Sequence, residues 1–312
     1  MDVRHLELLR ELAERGSVTA VARATHRTPS AVSQQLQSAQ RELGARLVER
    51  DGRGLRLTEA GELLARRAVD VATVLAEVSA DWDAFRHHPT GTVSVMALPS
   101  AGEYLLPPTL TALAGSGIEV VCHDADVAEA DWADLAKDHD IVIGHSLSGR
   151  RPPGTAELVV TRLLREPLDV ALPTGHRLAG VESVQPEDLV DAPWIGVPLG
   201  FPFDTVLQAI ETETGEMLRV VQRVRDNRLV EALVAGSEQL AILPRFTTPA
   251  GSGVVLRPVE GVPIQRHLSA LMRPDAAQRS AVRHVVTALR AISAQAGFAQ
   301  EPEGENHGAT PA

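Results

Sequence analysis

Over residues 3–13 apolar side chains recur at helical spacing. Leu6, Leu9 and Ala13 form one stripe, and Val3, Leu8 and Leu12 widen it. Gly16 supplies a stop, and Ser17 an N-cap for a short second helix over 18–25 with Val18, Val21 and Ala22 facing inward. After His26-Arg27, Thr28 is a good N-cap. Pro29 suits the first helical position, where the amide hydrogen it lacks would have no partner. The third helix runs to Glu42 or Leu43 and ends at Gly44. At roughly 100° per residue, Val32, Leu36, Ala39 and Leu43 fall within an arc of about 60°. Ser30, Gln34, Gln37 and Arg41 fall opposite that stripe, with Ser33 on its flank. Beyond Gly44, Leu47-Val48-Glu49-Arg50 and Leu55-Arg56-Leu57 flank Asp51-Gly52-Arg53-Gly54, which predicts a small hairpin with a glycine-rich tip.

From 58 to 85 apolar positions repeat by seven. One series is Leu57, Leu64, Val71, Val78 and Phe85; the other is Gly61, Ala68, Leu75 and Trp82. Their alternating spacing predicts a coiled-coil seam that pairs two chains, with Leu64, Val71, Leu75, Val78 and Trp82 as dimerisation contacts. A long helix lying on its own chain is the other reading of that pattern. His87-His88-Pro89-Thr90-Gly91 ends the helix, and adjacent histidines point apart, so they read as a hinge or cap rather than a metal pair. Past 91, strands are expected at 92–97, 118–122, 140–144, 157–163, 168–172, 194–197, 218–224, 240–243 and 267–272. Helices are expected at 102–114, 130–137, 203–214, 227–236 and 276–296. This alternation predicts an α/β fold with a largely parallel sheet in two lobes, its ligand site between them. The polar, Pro/Gly-rich residues 298–312 read as a disordered tail.

Charge adds an asymmetry to this layout. The 312 residues carry a formal net charge of −11, which taken whole argues against a nucleic-acid partner. Yet residues 15–56 hold eight arginines against three acids, and the chain beyond Arg67 carries −14. A small basic end is joined to a large acidic body, so nucleic-acid chemistry is sought at that end. A single cysteine, Cys122, rules out an intrachain disulfide and fits a cytoplasmic, reducing compartment. At a strand end it reads as a small buried hydrophobe rather than a redox sensor. No run approaches the roughly 18 apolar residues of a membrane span, and the first residues lack a signal-peptide core, so no membrane partner is expected.

The polar face of the third helix carries Ser, Gln and Arg rather than the Glu/Lys mixture of a solvated surface. Gln and Arg can bond adenine and guanine edges bidentately in the major groove, and Ser suits phosphate or base. A short helix, a tight turn and this helix match a helix-turn-helix, and the arginine-bearing hairpin beside it matches a phosphate-contacting wing. Residues 1–66 resemble the DNA-binding domain of LysR-type transcriptional regulators, with the matching motifs in 17–61. The resemblance rests on Ala31-Val32-Ser33, on Leu43-Gly44, and on Arg50 followed by Leu57-Thr58-Glu59-Ala60-Gly61. Pro29 stands where that family commonly has Gln, and Gln40 where it commonly has Glu. The DNA-binding residues expected are Ser17, Thr19, Thr28, Ser30, Ala31, Ser33, Gln34, Gln37, Arg41, Arg50, Arg53 and Arg56.

The body is also similar to that family at Glu166-Pro167-Leu168, at 172–179, and at 233–244, although Ser237-Glu238-Gln239 replaces a usual glycine. The resemblance implies α/β architecture with an N-terminal winged helix-turn-helix at 1–57 and a linker helix at 58–88. A two-lobed effector-binding domain at 91–297, similar to periplasmic solute-binding proteins, follows. Lobe one would be 91–164 with 271–297, and lobe two 165–270. For the cleft, the effector-binding candidates are Pro99, Ser100, Ala101, Asp124, Asp126, His145, Gly200, Phe201 and Phe203. The acids among them point to an effector with an amine or several hydroxyls. The function expected is a homodimeric or homotetrameric regulator of transcription. Its partners would be a pseudo-palindromic double-stranded promoter site, a small-molecule effector and RNA polymerase. The alternative is a cytoplasmic binding protein or enzyme on the same two-lobed fold. No glycine-rich phosphate loop, Gly-x-Ser-x-Gly elbow or His/Cys cluster supports an enzyme, and no metal or cofactor is expected.

Overall fold

A computed structural model describes residues 2–51, 54–86, 90–147, 149 and 151–295. Arg53, the expected helix end at His87-His88-Pro89 and the expected tail at 298–312 lie outside the described residues. The chain begins with α1 (Val3–Arg15), α2 (Val18–Ala24) and α3 (Pro29–Leu43), followed by the hairpin β1 (Val48–Asp51) and β2 (Gly54–Leu57). Each helix starts where the sequence offers a cap. Asp2 accepts from Arg4 N–H, Ser17 from Ala20 N–H and Thr28 from Ala31 N–H, at about 1 kcal/mol per cap. Gly16 and Gly44 end α1 and α3 in the left-handed region. Leu9, Leu12, Val21, Val32, Leu36, Ala39, Leu47 and Leu57 form the core of this unit.

The long α4 (Glu59–Phe85) starts on Thr58, which caps Gly61 N–H. Gly61 is obligatory, because a Cβ there would overlap the Leu47 carbonyl. The first half of α4 packs along α1, burying Ala65 and Ala68. Leu64, expected at the dimer seam, is half-buried and packs against the core of the N-terminal unit.

The body runs β3 (Gly91–Ala97), α5 (Pro99–Ala112), β4 (Ile118–Asp124), α6 (Trp132–Leu135), β5 (Ile141–Ser146) and β6 (Val159–Pro173). Then come β7 (Pro193–Gly196), α7 (Asp204–Thr214), β8 (Arg219–Arg223), α8 (Asn227–Ala235), β9 (Leu240–Pro244) and β10 (Val254–Arg257). The last elements are β11 (Gln265–Met272), α9 (Pro274–Gln278) and α10 (Ser280–Gln295). One sheet spans the body in the order β4-β3-β5-β11-β6-β9-β7-β8, with β10 also paired to β6. The expected largely parallel sheet is in fact mixed. Its outer pairs, β3 with β4 and β5 and β7 with β8 and β9, are parallel, whereas β11 and β6 cross the middle antiparallel. The two strands expected at 157–163 and 168–172 are one strand, β6, and the expected helix 276–296 breaks at Arg279, whose backbone is extended.

Two apolar cores sit at the two ends of this sheet. The first, around Val95, Leu105, Trp132, Ile141, Leu268 and Leu289, defines a first lobe. The second, around Leu168, Trp194, Ile210 and Leu240, defines a second lobe, with Val230, Val234 and Leu243 on its other face. The N-terminal unit also touches the body. Arg10 pairs with Asp275 at 3.0 Å, Arg15 with Asp138 at 2.8 Å, and α4 lies along α9 with Ala80 buried. Among the described residues no helix is long and apolar enough to cross a membrane.

Candidate functional site

On α3, burying Val32, Leu36 and Ala39 turns the opposite face outward. Ser30, Gln34, Gln37 and Arg41 are exposed there, and Ala31 and Ser33 are half-buried beside them. Thr19 is exposed on α2, and Arg50 and Arg56 are exposed on the hairpin, Arg56 bonded to Glu49. Ser17 and Thr28 have a different local role, since their hydroxyls accept helix-start N–H groups; Thr28 also bonds the Ser30 hydroxyl at 3.0 Å. The α2–α3 turn places His26 at φ 52°, the only positive φ of a non-glycine among the described residues. Gln40 acts structurally. Its side-chain oxygen accepts Leu47 N–H at 3.0 Å and fixes the start of the hairpin against α3. Gln35 likewise faces its own domain, donating to the Arg4 carbonyl.

On α4 the second half of the seam has no covering partner among the described residues. Leu75, Val78, Trp82 and Phe85 are exposed, Val78 at 61%, and Trp82 stacks on Phe85 at 5.6 Å between ring centroids. Val71 is half-buried.

Between the lobes lies a cavity of about 270 Å³. Its first-lobe wall comes from Leu98, Pro99 and Ser100 at the start of α5, Asp124 and Asp126 around the end of β4, and His145 within β5. Facing them are Val197, Phe201 and Phe203 ahead of α7, and Arg225, Asp226 and Asn227 at the start of α8; Arg266 of β11 also lines the cavity. Two expected residues do not line it. Ala101 is wholly buried in the first-lobe core, because it points down from α5 into the sheet. Gly200 serves its turn, at φ 86°. Sequence reasoning missed Arg225, Asp226, Asn227 and Arg266. The first three lie just past the carboxyl end of β8, where ligands of open α/β sheets bind, so that rule could have found them. Nothing in the sequence signals Arg266.

Arg266 and Glu166 face each other on the crossing strands, 1% and 0% exposed. Glu166 accepts Phe246 N–H at 2.7 Å, Thr247 N–H at 2.6 Å and Arg266 Nε at 2.7 Å. Arg266 Nη2 donates to Thr247 Oγ1 at 2.7 Å and to Ser100 Oγ at 3.2 Å, joining the second lobe to the first at the cleft floor. Nearer the mouth, Asp126 of the first lobe pairs with Arg225 of the second at 3.0 Å, and Glu103 of α5 pairs with Arg228 of α8. Burial pushes the Asp126 carboxyl up, against the pull of Arg225. Arg225 and Arg266 lie over the Phe201 and Phe203 rings, 5.5 and 5.8 Å from their centroids. Burial, with Arg266 nearby, holds His145 down to about 3, so its ring is neutral, and its Nδ1 is buried without a hydrogen-bond partner among the described residues.

Cys122 is exposed on the edge strand β4, which corrects the buried reading; partial burial raises its thiol, so it is not an activated thiolate. Among the described residues no cluster of three His, Cys, Asp or Glu side chains could hold a metal.

Two family models match the chain. One describes a bacterial regulatory helix-turn-helix protein of the lysR family and covers residues 3–62; the other describes a LysR substrate binding domain and covers residues 86–294. A probable RuBisCO transcriptional regulator of Emiliania huxleyi is 24% identical over 283 residues, covering 86% of this chain and 88% of the relative. The DNA-binding transcriptional dual regulator OxyR of Escherichia coli is 24% identical over 311 residues, covering 93% and 95%. Among solved structures, a full-length OxyR variant from Pseudomonas aeruginosa superposes with TM-score 0.64 at 19% identity, covering 93% of this chain and 95% of that one. CbnR, a LysR family regulator solved with its target DNA, gives TM-score 0.52 at 20% identity, covering 94% and 100%.

Proposed function

The chain belongs to the LysR family of DNA-binding transcriptional regulators, and from that premise we propose how its own residues read DNA and respond to a ligand. Ser30, Ser33, Gln34, Gln37 and Arg41 of α3 enter the major groove, with Ala31 and Thr19 alongside. Arg50, Arg53 and Arg56 of the wing contact phosphates. Ser17 and Thr28 orient the N-termini of α2 and α3, whose first-turn N–H groups face the DNA backbone. The single observation that supports this best is the exposed polar face of α3, opposite a fully buried stripe. The exposed Leu75, Val78, Trp82 and Phe85 of α4, with the half-buried Val71, pair two chains, so two reading helices meet a pseudo-palindromic promoter site. Two such dimers can associate as a tetramer.

The inter-lobe cavity holds a small-molecule effector. Ser100 and Arg266 belong to opposite sides of the floor, so a ligand that fits one closure of the lobes better than another shifts their balance. That shift is passed to the reading domain through α4 and the α1 contacts and changes promoter occupancy or contact with RNA polymerase. The domains divide as 1–57, 58–88 and 91–297, the last with lobes at 91–164 plus 271–297 and at 165–270. The protein works in the cytoplasm.

Fluorescence anisotropy with the intergenic DNA beside its own gene tests this reading. Binding is expected to weaken steeply with salt, and Arg50→Ala should reduce the slope of log affinity against log salt by about 0.9. Gln37→Ala should relax sequence preference by about 1–3 kcal/mol at one base pair. A folded dimer that showed no sequence preference would overturn the assignment of α3.

A further inference from the structure

The cleft carries opposite chemistry at its two ends. At the floor, Arg266 spends Nε and Nη2 on Glu166, Thr247 and Ser100, and Nη1 makes no hydrogen bond among the described residues. The Ser100 hydroxyl accepts from Arg266, so its own hydrogen is free to donate. Ser100 sits in the first turn of α5, a 14-residue helix with no side-chain cap, and follows Pro99, which has no N–H to give. At the rim, Asp124 is exposed and makes no ion pair among the described residues, and Asp126 two residues on holds a guanidinium from the opposite lobe. Leu98, Val197, Phe201 and Phe203 supply the apolar part of the lining. His145, 6% exposed and neutral, presents a ring that neither repels a cation nor adds charge to hold an anion.

Charge decides which ligand fits. Arg266 is already neutralised by Glu166 and Arg225 by Asp126, which leaves Asp124 and Asp226 without an ion pair among the described residues. A carboxylate alone would bring negative charge towards them. An amine alone would leave the Ser100 and Arg266 donors unpaired. The Asp126–Arg225 pair is partly open to solvent, its side chains 28% and 52% exposed, so an ammonium can approach Asp126. We propose that the effector is a small zwitterion with an apolar body, its ammonium held by Asp124 and Asp126 and its carboxylate by Ser100 and Arg266. This rests on the cleft being the effector site, as argued above.

Titration calorimetry on the full-length protein tests it with the full set of proteinogenic amino acids. Two matched sets accompany them: L-phenylalanine with phenethylamine and 3-phenylpropanoate, and L-leucine with isopentylamine and 4-methylpentanoate. At least one zwitterion is expected to bind, ten-fold or more tighter than its own amine and its own acid. Asp124→Asn and Ser100→Ala should each weaken it at least ten-fold. Melting curves of the unliganded variants control for folding, and Asp124→Asn removes no ion pair seen in the fold. Binding of a carboxylic acid as tightly as its zwitterion, or of no zwitterion at all, overturns the proposal, as does an unchanged affinity in Asp124→Asn. Anisotropy with promoter DNA runs in parallel. Sequence-preferring DNA binding without any zwitterion response sinks the ligand class alone, whereas loss of DNA preference in the native protein sinks the regulator reading.

Discussion

Glu166 and Arg266 illustrate what a buried pair demands of its surroundings. Removing water from two charges costs several kcal/mol per ion, offset only when close pairing is joined by further hydrogen bonds. Here two backbone N–H groups, Thr247 and Ser100 do the matching. Glu166→Ala would strand a guanidinium and two amides in the interior, so urea denaturation should show a loss of about 3–5 kcal/mol; a loss under about 1 kcal/mol would refute that picture. His145 makes a second prediction, in pH. Its folded value of about 3 lies below the ordinary 6.5, so between those values the unfolded chain binds the extra proton and stability rises with pH. Its contribution is complete above pH 6.5 and is lost as pH falls towards 3, at up to about 1.4 kcal/mol per pH unit. His145→Gln should flatten that part of the stability–pH curve, and an unchanged slope would show that another group sets it. Neither residue advertises its environment in the sequence. A Glu inside an apolar run suggests an exposed loop, and its partner lies 100 residues away.

At the scale of elements, α4 is legible in the sequence as a helix but not in its allegiance. The seven-residue repeat is continuous, yet its first part faces its own domain and its last part faces outward. Periodicity marks a face as apolar and says nothing of what covers it. Two substitutions separate these roles. Val78→Asp, at 61% exposure, should weaken self-association at least ten-fold in sedimentation velocity while the monomer melts as before. Leu64→Asp should instead lower the melting temperature, because it places a charge against the reading-domain core. If Val78→Asp left the dimer intact, another surface would be the interface. The crossing strand β6 has the same origin of difficulty. Fifteen residues that pass from one core to the other look like two strands, because the charged middle, Arg165 and Glu166, breaks the apolar pattern. The caps and breaks of α1, α2 and α3 are legible without the fold, since each depends on a few neighbouring residues.

For the molecule as a whole, the division into a basic end and an acidic body is partly bridged by contact. Arg15, one of the eight arginines in the basic stretch, is held by Glu11 and by Asp138 of the body and does not face outward with Arg41, Arg50 and Arg56. Arg10 pairs likewise with Asp275, and both side chains are mostly buried. A double-mutant cycle of Arg10→Ala and Asp275→Ala should therefore give a coupling of about 0.5–3 kcal/mol in unfolding free energy. Additive effects would show that the two domains do not dock through this pair. The helix-turn-helix, the outward polar face of α3 and the alternation of strands and helices are already dictated by the order of residues along the chain. They follow from the helical and strand periods and from caps, all acting within a turn or two of chain. Which charges meet is settled only on folding: Arg266 with Glu166 at the cleft floor, Asp126 with Arg225 across the lobes, and Arg10 with Asp275, 265 residues apart. No spacing rule links such residues, because their encounter is set by how separate cores pack and how the crossing strands join them.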